Sequence, residues 1–348
     1  MNLFEKFSLP SENVTRNKPF NYNSNDEYLF KKEFIRDLPN VFPVVRKDLY
    51  VSPCARFLNG LIFNSFQFNT KVRFTWLFKL YLKFFFFLTK IRRVTKFDNI
   101  LLITNSKSAY NFFHWHLDVL QKLEFIDKIS NEISVSKFKI IIPNDHTSDY
   151  FKKTLDAFNF DFYFQQKDEI ITASRSILLP EIAPTGNFRK GHILKLRERM
   201  RNHWIDKKTI NLNTKRIYIS RKNAPRRKLK NESEIIPILK KHGFTIVDFD
   251  ILNIEEQLSY ILNCEILVGS HGSGLSHMLW MKQKSKVLEI RARGNCHDNC
   301  FFTLASDLGH DYFYAIADKT DPKKSNHLSD LTINKSYFLS QLQKMLES

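Results

Sequence analysis

The sequence predicts an α/β protein built from two successive βα series behind an N-terminal extension, and three observations carry that prediction. Short apolar runs alternate with amphipathic stretches from residue 97 to residue 317. A polar segment, KKTINLNTK at 207–215, divides them into two groups and reads as a linker. In the second group a strand runs into a glycine cluster: three of the chain's nine glycines, Gly269, Gly272 and Gly274, fall within VGSHGSGL. A chain of 348 residues exceeds the usual single core, and 43% apolar residues, 33 of them Phe, suffice for two.

Residues 1–71 read as a polar, Asn-rich arm followed by short strands, with Asn59-Gly60 as a hairpin turn. Residues 72–93, VRFTWLFKLYLKFFFFLTKIRR, form a Phe- and Lys-rich amphipathic helix. Its apolar stretch is interrupted by Lys79 and Lys83 and is short for a membrane span. It suits either an interfacial helix on an anionic membrane or a helix packed on its own domain.

The first domain, 97–207, contains strands at 98–105 and 138–143, helices at 111–128 and 146–159, further short strands in DFYFQQ, IITA and SILLP, and a basic helix at 191–207. The second, 208–318, runs RIYISR, the helix NESEIIPILKKHG, FTIVDFD, the helix NIEEQLSYILNC, EILVGS with its glycine loop, KVLEIRA, a helix at 297–308 and DYFYAIA. A polar tail and a last helix fill 319–348. Two such series suggest paired Rossmann-like domains with ligands at the carboxyl edges of their strands.

Lys and Arg exceed Asp and Glu by 54 to 36, a formal charge of +18. That excess suits a polyanion, an anionic membrane or a phosphorylated substrate without choosing among them. Cys54, Cys264, Cys296 and Cys300 contain no CxxC pair, which argues against zinc and for reduced thiols in a cytoplasmic protein. The N-terminal residues show no apolar signal-peptide core.

Four groups of residues could carry chemistry. In the glycine loop, Ser270, His271, Gly272, Ser273 and Gly274 lie where a turn and a helix start can cradle an anion. A tight packing turn would need the glycines but not the polar side chains. In NFFHWHLDVLQKL, His114 and Asp118 are four apart and share a helical face. They could deprotonate a hydroxyl singly or as a pair, or serve helix stability; His116 points elsewhere. In ISRKNAPRRKLKNE, Arg221, Arg226 and Arg227 could clamp phosphates, with Asn231-Glu232 opening a helix; a solvated loop or a nucleic-acid patch would look similar. Glu289 ends KVLEI, where a carboxylate could hold a ribose diol or simply lie at the surface.

Together these motifs resemble glycosyltransferase family 61, the group containing capsular-polysaccharide and EGF-domain O-GlcNAc transferases. The resemblance rests on RIYISR with its downstream Arg and NE, EEQ, VGSHGSGL and VLEI, and on NFFHWHLDVLQKL upstream. It implies a GT-B fold, two Rossmann-like domains facing a cleft, and an inverting transfer without an obligate metal or other cofactor. It implies a nucleotide-sugar donor, UDP-linked, with His271, the loop glycines and Arg221 at its diphosphate and Glu289 at its ribose or uracil. His114 and Asp118 would lie near a glycan or lipid-linked acceptor, Asp118 as the better base. Asp248-Phe249-Asp250 has the letters of a metal-binding DxD but lies far from the glycine loop in sequence. The expected role is surface or capsular polysaccharide synthesis, cytoplasmic or peripheral at the membrane. A nucleic-acid-binding protein is the rival, although the basic residues are dispersed and form no binding motif. A different nucleotide cofactor is a second rival, but GSHGSGL is not the dinucleotide fingerprint.

Overall fold

The computed structural model describes residues 8–47, 49–51, 93–105, 107–133, 135–206, 214–294 and 299–348. The Asn59-Gly60 turn, residues 72–92 of the expected amphipathic helix, residues 207–213 of the linker, and Cys54, Cys296 and His297 lie outside them. Among the described residues no helix is long and apolar enough to cross a membrane. The chain divides into two compact units: one takes in the described residues of 1–10 and 40–182, the other residues 11–39 and the described residues of 183–348.

Strands β1 (Glu12–Thr15) and β2 (Ile35–Leu38) pair antiparallel, with helix α1 (Glu27–Phe34) between them in sequence. The first unit begins with β3 (Val44–Arg46) and β4 (Leu49–Val51), both antiparallel to β8 (Glu169–Leu178). Its other strands, β5 (Arg93–Leu102), β6 (Lys139–Ile142) and β7 (Phe162–Phe164), complete a parallel sheet in the order β7-β6-β5-β8. Ile100 to Ile103 and Ile140 to Ile142 are buried without alternation, as strands covered on both faces require. IITA and SILLP, expected as separate strands, are the two ends of β8. Counted from β5 the order is 3-2-1-4, so the winding reverses between β5 and β8. Helices α2 (Leu120–Ile133) and α3 (Asp149–Leu155) belong to this unit.

In the second unit β9 (Arg216–Ile219), β10 (Thr245–Val247), β11 (Ile266–Ser270), β12 (Lys286–Ala292) and β13 (Asp311–Lys319) are parallel, in the order β10-β9-β11-β12-β13. The short β14 (Leu331–Thr332) pairs antiparallel at the edge. Counted from β9 this is the 2-1-3-4-5 order, whose switch point lies between β9 and β11. The helices are α4 (Lys190–Asp206), α5 (Glu232–Lys241), α6 (Ile254–Ile261), α7 (Cys300–Leu308) and α8 (Lys335–Glu347). Leu288, Ile290, Phe313 and Ala315 pack with Ile235 and Leu239 of α5 and with Phe338 and Leu342 of α8.

Two expected boundaries move. The basic helix α4, placed by sequence in the first domain, belongs to the second unit. Two of its arginines are turned to helix ends: Arg197 donates to the Leu308 carbonyl at 2.8 Å, and Arg201 to the carbonyls of Leu262 (3.2 Å) and Trp280. These are unsatisfied C-terminal carbonyls that a cation can cap. Residues 11–39 of the arm, expected from their polar composition to lie outside both domains, are part of the second unit. Arg16 forms a buried bidentate pair with Asp307 at 2.9 and 2.8 Å, and the Phe30 ring lies against Phe302, Tyr312 and Tyr314. In FTIVDFD only Thr245–Val247 is strand; Asp248 caps a 3-10 turn by accepting from the Asp250 amide at 3.0 Å.

Candidate active site

The glycine loop leaves β11 at the switch point, beside the carboxyl end of β9. The His271 amide donates to the Ile290 carbonyl at 2.8 Å, extending the sheet pairing one residue beyond β11. The chain then turns through Gly272 into a 3-10 segment, Ser273–Trp280, rather than the expected α-helix. Gly272 has extended backbone, φ 167°, so glycine is not required there for its conformation. What it supplies is space: a Cβ on Gly272 would lie 2.8 Å from Cζ of Arg221 and closer still to Nη1, so the guanidinium would have to shift. A Cβ on Gly274 would crowd the Ile219 side chain at 3.2 Å. Both glycines let the loop press against the end of β9.

Arg221 thus lies flat on the glycine loop. One of its terminal nitrogens donates to the Arg226 carbonyl at 2.9 Å, while Nε has no partner among the described residues. Asp248 and Asp250, far off in sequence, come next to Arg221 because β10 pairs with β9, and their charges act on its guanidinium. The DxD letters discounted by sequence distance are therefore at this site in space. Among the described residues no group of three or more His, Cys, Asp or Glu side chains could hold a metal.

Glu289 is not a surface ligand. It is fully buried in β12, where its carboxylate accepts from Tyr312 at 2.6 Å and faces His271 Nδ1 at 2.5 Å. Burial alone would raise its pKa; His271, Arg291 and Tyr312 outweigh burial and hold it below the ordinary carboxylate value. An ionised Glu289 fixes the Nδ1–H tautomer and leaves Nε2 of His271 for a ligand. Glu289 therefore meets His271 from the buried side of β12. A water-sized cavity of about 10 Å3 adjoins the imidazole, lined also by Arg227, Arg291 and Asn326. Arg227 has a left-handed backbone, φ 57°, at a non-glycine position in this basic loop. Ser270 is buried, and its hydroxyl has no partner among the described residues.

Ser273 opens the 3-10 segment and is partly exposed, and the Arg226 side chain is exposed. Two other expected donor ligands face elsewhere. Asn231 donates to the Ile333 carbonyl at 2.8 Å and accepts from the Ile333 amide at 3.2 Å. Glu232 accepts from Tyr218 (2.8 Å) and Ser220 (3.1 Å), tying α5 to β9. Both are scaffold. Arg291 and Asn326, not expected from sequence, do line the site. Arg291 was accessible to strand alternation, being two residues beyond Glu289 on the same face.

In the first unit the His–Asp pair also lies by a switch point. His114–Val119 is a π-helical turn leading into α2, in place of the expected regular α-helix. His114 Nδ1 and Asp118 Oδ2 are 2.7 Å apart. Asp118 is the more buried side chain, 5% exposed against 14% for His114. Burial raises the Asp118 pKa, with Glu181 adding to the rise and the hydrogen bond from His114 opposing it. Asp118 thus holds the Nδ1 side of the imidazole, and His114 Nε2 has no partner among the described residues. Lys122, missed in the sequence, is buried; it donates to the carbonyls of Ile103 (2.8 Å) and Leu179 (3.1 Å) and pairs with Glu181 at 3.0 Å. It thereby pins α2 to the carboxyl ends of β5 and β8. His116 packs on Phe112, with Nδ1 2.8 Å from the Phe112 carbonyl, and belongs to the scaffold.

The model of the family described as Glycosyltransferase 61 matches residues 112–288, from the His–Asp turn through the glycine loop. The chain is similar to the EGF domain-specific O-linked N-acetylglucosamine transferases of Xenopus laevis, with 31% identity over 123 residues, and Gallus gallus, with 30% over 119. It is 34% identical over 99 residues to that of Drosophila melanogaster. These stretches cover 33%, 32% and 27% of the chain but only 23%, 22% and 18% of the relatives. The chain therefore aligns with about a fifth of each of them.

Proposed function

Because the chain belongs to glycosyltransferase family 61, we propose that it transfers a sugar from a nucleotide-sugar donor to a hydroxyl of a glycan acceptor. The observation that carries this proposal is the convergence of Arg221, Ser270, His271 and Gly272 at the switch point of the second sheet. A buried hydroxyl without a partner and a guanidinium with an open Nε supply two donors for phosphate oxygens, and His271, its Nδ1–H held by an ionised carboxylate, becomes a third once Nε2 also carries a proton. The relatives' names, O-linked N-acetylglucosamine transferases, favour an N-acetylhexosamine as the sugar, and the family resemblance favours UDP as its carrier. Two separate parallel sheets, each with a polar group at its switch point, support the GT-B class.

In mechanism, His114 Nε2 takes the proton of the acceptor hydroxyl, with Asp118 holding the imidazole and stabilising its charge. The freed oxygen forms a bond to the anomeric carbon as the bond from that carbon to the diphosphate oxygen breaks. The electron pair goes to the leaving diphosphate, where Arg221, together with His271 when Nε2 carries a proton, meets the developing charge. A single displacement of this kind inverts the anomeric configuration. Family membership favours transfer over the nucleic-acid-binding alternative. The test is a panel of nucleotide sugars assayed for hydrolysis and transfer with wild type, His114→Ala and His271→Ala. Turnover of one donor by wild type, lost in both variants, is expected; full activity in both would remove the two histidines from the mechanism.

A further inference from the structure

We propose that the second unit also carries a saccharide-binding pocket, separate from the glycine-loop site. A cavity of about 410 Å3 lies between the N-terminal arm, the carboxyl-terminal half of β13 and helix α8. Its size falls in the range of small-molecule sites, about 300–1,000 Å3. The walls are fixed by internal bonds: Tyr314 donates to Asp26 at 2.9 Å, and the Asn21 amide donates to the Tyr314 carbonyl (2.7 Å) and to Gln341 (2.8 Å). The inner surface is not used up by them. The side chains of Arg293, Asp318 and Lys344 line the cavity with no hydrogen-bond or ion-pair partner among the described residues.

The chemistry of the lining selects the class of ligand. Two cations, Arg293 and Lys344, face two carboxylates, Asp26 and Asp318, so the cavity is charge-balanced. A nucleoside diphosphate would favour an excess of cations, and an apolar ligand would find too few apolar walls. A sugar hydroxyl is both donor and acceptor, and it matches a mixture of guanidinium, carboxylate and carboxamide groups. The ring of Tyr337, also in the lining, offers an apolar face to a pyranose.

The pocket and the glycine-loop site share one sheet but not one lining. Arg291 lines the small cavity beside His271, whereas Arg293, two residues on, lines this one. The inference stands apart from the donor reading, because saccharide binding is measured with no nucleotide present.

Saturation-transfer NMR on the full chain, with N,N′-diacetylchitobiose, lactose and a hyaluronan disaccharide as probes, tests the proposal. Wild type should bind at least one probe, and Arg293→Ala or Asp318→Asn should weaken that binding about tenfold or more. UDP should not displace the bound disaccharide, and its own affinity should be unchanged in both variants. Three results would each overturn the proposal: no probe binds, binding is unaltered in both variants, or UDP competes with the saccharide. Failure of UDP to bind at all would count against the donor site and leave the pocket's result standing.

Discussion

Replacing Gly272 by alanine isolates the contact on which the donor site is built. The backbone there is extended, so alanine adds no conformational strain. The whole effect comes from a methyl group that would sit 2.8 Å from the Arg221 Cζ. A guanidinium at the end of a flexible side chain can move aside, and the cost to folding should stay under about 1 kcal/mol. Arg221 would then lose its place at the loop. A hydrogen bond to a charged group is worth about 1.5–3 kcal/mol, hence about a 10- to 150-fold loss of nucleotide affinity. Calorimetric titration of UDP into wild type, Gly272→Ala, Arg221→Ala and the double variant measures this. If the methyl acts through Arg221, the double variant binds no more weakly than Arg221→Ala alone. Wild-type affinity in Gly272→Ala, or the same fold loss in both backgrounds, would refute the reasoning.

Asp118→Asn should lower the rate of transfer by about 100- to 10,000-fold yet leave thermal stability at pH 7 unchanged or raised. Its raised pKa means that the folded chain holds the proton more tightly than the unfolded one. Charging the group therefore lowers stability as pH rises from the unfolded towards the folded value; a large loss of melting temperature would contradict this. Glu289→Gln should cost about 1–3 kcal/mol in urea unfolding at pH 7. The depressed pKa of Glu289 gives stability that is present above the unfolded carboxylate value and lost as pH falls through the folded one, so the cost should vanish in strong acid. His277 and His310, buried and neutral, titrate at about 4 against an ordinary 6.5. The unfolded chain binds those protons first, so stability should fall as pH drops from about 6.5 towards 4, by up to about 3 kcal/mol per histidine. Urea midpoints that stay flat between pH 7 and pH 5 would contradict that.

The central parallel strands were legible because β6, β11, β12 and the end of β5 are short apolar runs buried on both faces, set among amphipathic helices. The glycine loop was legible because glycines are scarce in this chain and three of them coincide with a strand end. What could not be read depends on contacts distant in sequence. Arg16 meets Asp307 across 291 positions, and nothing in the local pattern of the arm announces that pairing. The basic helix α4 was placed in the wrong domain because its charge was visible and the targets of Arg197 and Arg201, the carbonyls of Leu262, Trp280 and Leu308, were not. Asp248 and Asp250 looked remote until the order of strands set β10 against β9. Glu289 was found, but its role depended on the depth of β12 and on Tyr312 in the next strand. The π turn at His114 has no periodicity that separates it from an α-helix over six residues.

The central claim is that the switch point between β9 and β11 binds a nucleoside diphosphate sugar. Thermal unfolding of wild type and His271→Ala, scanned against nucleoside diphosphate sugars with the corresponding nucleosides as controls, tests it most directly. At a ligand concentration of about 100 times Kd, wild type should gain about 2.7 kcal/mol, a rise of several degrees in Tm. Nucleosides alone should give little, and His271→Ala should lose most of the gain. Equal shifts with nucleosides, or an undiminished shift in His271→Ala, would contradict the assignment of the site.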